Sequence, residues 1–175
     1  EALQLPGVGQ MAGAEHHIGS TYDGIFMQVE GVEKLVLYFG VSPNYLEAMG
    51  LRIKTGRAFG GAFSAAVVIN QTFAQQQGWT DPIGKGIRIG DRAFSVIGVV
   101  EDFLLDPFEG KARPVVFGLS DEARHNFLAV RVENGAKDQV AAALGKIWEQ
   151  QFPEVPFMYF PQTEVFQEFY SSINI

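Results

Sequence analysis

The spacing of apolar and polar positions predicts strands interleaved with short helices. Residues 25–41, IFMQVEGVEKLVLYFGV, form two apolar-rich runs on either side of Glu30-Gly31. Glycine can take the positive φ that a tight turn needs, so the pattern predicts a hairpin. Its second arm, residues 35–41, is nearly all apolar, as expected of a strand covered on both faces. The next stretch, VSPNYLEAMGLRIKTGRAF, reads as a short helix with Ser42 as N-cap, Pro43 at the first helical position and Gly50 as the stop. Tyr45, Leu46 and Met49 share one face of it.

The plan then repeats. Residues 65–69 read as a strand, Asn70 as a cap, the following residues as a helix through Gln77, and Gly78 as its stop. In GKGIRIGDRAFSVIGVV, Ile87 and Ile89 alternate with Arg88, Gly90-Asp91 makes a two-residue turn, and residues 94–100 return as the second arm. Residues 114–119 and 127–132 are further expected strands. Val140, Leu144, Ile147 and Trp148 fall on one helical face that Pro153 ends. Residues 157–160 are expected as a strand, and residues 162–173 as a last helix carrying Val165, Phe166, Phe169 and Tyr170. Mixed strands and helices with adjacent hairpins make the expected class α+β.

Composition narrows the function more than the fold. A chain of 175 residues with 47% hydrophobic content and fifteen phenylalanines can build a real core. A net charge of −7 with no basic stripe argues against nucleic acid as a partner. Absence of cysteine excludes disulfides, thiolate catalysis and Cys-ligated zinc. No apolar run approaches the ~20 residues that span a bilayer. The chain, opening EALQLPGVGQ, carries no signal-peptide pattern and reads as a piece of something longer.

Candidate chemistry is sparse. GKGIRIG has the look of a phosphate loop, but its third glycine is misplaced and strand-type residues follow where a helix should begin. His16 and His17, adjacent in sequence, point to opposite faces of an extended chain and do not readily chelate one ion; His125 is the third histidine. Glu101, Asp102, Asp106 and Glu109 are the most enzyme-like group, since paired carboxylates can serve acid–base chemistry. Pro107 and Gly110 place them on a loop without calcium-loop spacing. No Gly-x-Ser-x-Gly elbow exists, and capping accounts for Ser42. Asn70-Gln71-Thr72 matches a glycosylation sequon, but the helix-cap reading of Asn70 is sufficient. The expectation is no catalytic residue, no metal site and no cofactor.

The ordered segments resemble the MacB-like periplasmic core domain, the extracytoplasmic domain of FtsX/MacB-type ABC transporter permeases. The resemblance rests on Val41-Ser42-Pro43-Asn44-Tyr45-Leu46, Gly56-Arg57, Val67-Val68-Ile69-Asn70, Asp81-Pro82-Ile83-Gly84-Lys85 and Ile97-Gly98-Val99-Val100-Glu101-Asp102-Phe103. LPGVGQMAG, KARPVVFGL and WEQQFPEVPFMYF extend it over nearly the whole chain. Leu46 stands where the family commonly has an aromatic, and Glu101 where a lysine is frequent.

The resemblance implies a porter-like βαβ lobe of residues 1–40 and 115–175 carrying both chain ends. A Sabre-like lobe, residues 41–114, would be inserted within it. It also implies a non-enzymatic periplasmic domain of an inner-membrane protein. Such a domain couples cytoplasmic ATP hydrolysis to export, lipoprotein release or other envelope work. The implied partners are a second permease subunit, a cytoplasmic ATPase and a periplasmic adaptor or envelope protein. Gly56 and Arg57 read as structural. The alternatives are a stand-alone secreted ligand-binding domain with an aromatic groove, and an enzyme built on the 101–109 loop.

Overall fold

A computed structural model of the chain describes residues 4–19, 22–60, 65–105 and 110–162. Strands dominate a mixed α and β fold. Among the described residues nine strands share one sheet: β1 (Val8–Ala14), β2 (Asp23–Val29), β3 (Val32–Val41), β4 (Ile53–Gly56), β5 (Ala66–Asn70), β6 (Gly86–Ile89), β7 (Arg92–Val100), β8 (Val115–Leu119) and β9 (Phe127–Val132). The helices are α1 (Tyr45–Ala48), α2 (Gln71–Gln76) and α3 (Lys137–Gln151).

Both expected hairpins form. Glu30 and Gly31 have φ of 52° and 79°, the doubly positive turn whose twist matches two antiparallel strands, and Val29 pairs Val32 beside it. Gly90, at φ 57°, turns β6 into β7.

The long strands β3 and β7 organise the sheet. One edge of β3 is shared by β2 and, at Val41, by β1, while its other edge runs parallel to β8. Likewise β7 shares one edge between β6 and β4 and carries β5 in parallel on the other. Since β5 pairs β8 and β2 pairs β6, the six strands β2-β6-β7-β5-β8-β3 return on themselves as a hydrogen-bonded ring. Only two residue pairs, Gln28 with Arg88 and Val29 with Ile87, join β2 to β6. Side chains reinforce that seam: Trp79 Nε1 donates to Glu30 Oε1 at 2.9 Å, and Lys85 Nζ lies 3.8 Å from the same oxygen.

The strand period of two sends alternate residues into two cores. Val67 and Ile69 of β5 pack with Phe73, Trp79, Met27 and Ile87 on the α2 side. Val68 packs on the other side with Tyr45, Leu46, Phe39 and Phe117. This is why residues 36–41 of β3, residues 66–69 of β5 and the whole of β8 read as near-continuous apolar runs.

Three local readings change. Ser42 does not cap α1: Asn44 holds that position, without a side-chain cap bond. Ser42 Oγ instead accepts from Gly13 N at 3.0 Å while Ser42 N donates to Gly13 O at 2.9 Å, clasping the end of β3 to β1. A strand the pattern did not show, β4, follows Gly50, whose φ of 71° ends α1 as expected. Residues 157–160 join no ladder among the described residues. Phe157 lies over Gly145 of α3, and Trp148 Nε1 donates to Val155 O at 2.8 Å, so side chains hold this segment rather than a sheet. The expected last helix lies outside the described residues.

The chain divides into two compact units, residues 12–129 and the two end segments 1–11 with 130–175.

Candidate functional site

Those residues singled out for chemistry that the structure describes each have a place in the fold. Asp102, just after β7, accepts from Thr72 N and Thr72 Oγ1, both at 2.9 Å. With Asn70, whose Oδ1 accepts from Phe73 N at 3.1 Å, it satisfies donors at the start of α2 that the helix itself leaves open. Glu101 pairs with Arg52 Nη2 at 2.6 Å. The acidic run is thus used locally as far as residue 102, and Asp106 and Glu109 lie outside the described residues.

Asn70 itself is fully buried. Its Oδ1 also accepts from Val115 N at 2.9 Å, and its Nδ2 donates to Arg113 O at 2.7 Å. A side chain so placed has no access to a glycan-transferring enzyme in the folded state. GKGIRIG holds the whole of β6 and the first residue of the turn after it, as its alternation indicated.

The histidines do not converge. His16 Nε2 lies 3.2 Å from Asp23 Oδ2, His17 is buried against the Phe127 ring, and His125 Nε2 lies 3.1 Å from Ser120 Oγ.

Sequence reasoning missed a polar cluster that the 12–129 unit builds at the carboxyl ends of β3 and β8. Gly40 and Gly118 are register partners there, and neither has room for a side chain. A Cβ on Gly40 would sit 2.5 Å from the Glu15 carboxylate and 2.9 Å from Ser120 Oγ; one on Gly118 would sit 2.1 Å from the Tyr38 hydroxyl. Gly13 makes the same room for His125. Glu15 is buried, its Oε2 accepting from Arg124 Nη2 at 3.1 Å and its backbone carbonyl from Asn126 Nδ2 at 3.1 Å. Burial, and then the nearby Glu15 carboxylate, push the Tyr38 phenol above its ordinary value, against the pull of Arg124 and Arg92. The phenol is therefore neutral at physiological pH. These contacts tie β1, β3, β8 and the segment before β9 together. The available signal was three glycines inside apolar strands, which mark close approach of other groups.

The Gly56-Arg57 turn is built at the backbone. Gly56 has φ of 76°, and a Cβ there would lie 2.3 Å from Ile97 O. Arg57 N donates to Ile97 O at 3.0 Å, and Gly98 passes directly beneath the Arg57 carbonyl. The Arg57 side chain itself is exposed.

No helix among the described residues is long and apolar enough to cross a membrane. The sequence profile of the MacB-like periplasmic core domain matches residues 2–147. Among solved structures, the periplasmic region of MacB from Actinobacillus actinomycetemcomitans superposes with a TM-score of 0.71 at 16% identity, covering 96% of this chain and 78% of that one. The extracellular domain of the noncanonic ABC-type transporter YknZ from Gram-positive bacteria gives 0.65 at 15% identity, covering 86% and 79%. No curated protein sequence matches the chain.

Proposed function

The chain belongs to the family of MacB-like periplasmic core domains, and from that premise we propose that it couples cytoplasmic ATP hydrolysis to work in the cell envelope. It does so as the extracytoplasmic part of an ABC transporter permease. The observation that carries this reading is the family match over residues 2–147, in a chain that also shares the fold of a MacB periplasmic region.

The reading is mechanical. Motion of membrane helices, driven by an ATPase on the cytoplasmic side, reaches the domain through its two ends and is passed to export, lipoprotein release or another envelope process. Transmission needs bodies that do not deform, and a sheet with apolar side chains packed on both faces is such a body. The domain performs no reaction of its own and uses no cofactor. Its partners are a second permease subunit, the ATPase and a periplasmic adaptor or envelope protein. Both end segments fall in one compact unit, which suits a porter-like lobe that receives the chain from the membrane and returns it.

The test uses the complete gene product in intact cells. Gln76 is exposed and the 175 residues contain no cysteine, so Gln76→Cys supplies one thiol in this domain. Labelling by a membrane-impermeant maleimide from the periplasmic side, together with co-purification of an ATPase, is the expected result. Labelling only after the inner membrane is permeabilised would overturn the reading.

A further inference from the structure

We draw no further inference here: the strongest candidate, the buried Glu15 carboxylate at the carboxyl ends of β3 and β8, whose Oε1 has no hydrogen-bond partner among the described residues, belongs to the polar cluster already described, and nothing in the structure shows what ligand would reach that oxygen.

Discussion

Replacing Asn70 by alanine should be among the most damaging single changes in the 12–129 unit. Asn70 is wholly buried and makes three hydrogen bonds, accepting from Phe73 N and Val115 N and donating to Arg113 O. Loss of the cap on α2 costs about 1 kcal/mol. The Val115 N–H and the Arg113 carbonyl would each be left short of a partner, at about 1–3 kcal/mol apiece. The sum is about 3–7 kcal/mol, a large share of the ~5–15 kcal/mol that typically holds a domain together. Asn70→Ser separates the two roles, because a serine can still cap Phe73 N but is too short to span to β8. It should recover only the cap, about 1 kcal/mol. Urea unfolding followed by tryptophan fluorescence measures both, with Trp79 in the same core as Phe73. If Asn70→Ser were as stable as the parent, the bonds to β8 would contribute nothing and the reasoning would fail.

Other outcomes follow from the same geometry. Leu46→Ala should cost about 2–5 kcal/mol, since Leu46 is 1% exposed, whereas exposed Gln76→Ala should stay within about 0.5 kcal/mol; equal losses in urea melts would misplace the α1 core. Gly56→Ala and Gly31→Ala both put a side chain on positive φ, worth about 1–2 kcal/mol, but only Gly56 also meets Ile97 O. Gly56→Ala should therefore melt at clearly lower urea, and the reverse order would refute the close approach. Burial raises the Tyr45 phenol well above its ordinary 10.0. The native state then keeps a proton that the unfolded chain sheds, so stability holds below pH 10.0 and falls as pH rises beyond it. Tyr45→Phe should flatten that alkaline loss in melts, and an unchanged slope would show that the phenol is not what titrates. Calorimetry should find no saturable ATP binding, because GKGIRIG is a strand and its turn rather than a phosphate loop.

What the sequence determined by itself is whatever depends on neighbours a few residues apart. The turns at Glu30-Gly31 and Gly90-Asp91, the stops at Gly50 and Gly78 and the cap at Asn70 all rest on φ preferences and short-range hydrogen bonds. The family was legible too, because it lies in the order of such segments. Tertiary structure alone decided what those segments join. The Asn70 side chain that caps its own helix also binds Val115, and Ser42, well suited to capping, was drawn to Gly13. The closing of six strands into a ring and the gathering of Glu15, Tyr38, Ser120 and His125 over three strand glycines depend on register between distant strands. Residues 157–160 have strand-like composition, yet Phe157 packs over Gly145 of α3 and the segment joins no ladder among the described residues. Local preferences fix what a segment can be. Which of several satisfactory partners it takes is settled by burial summed over the whole core, and no short window of the chain contains that sum.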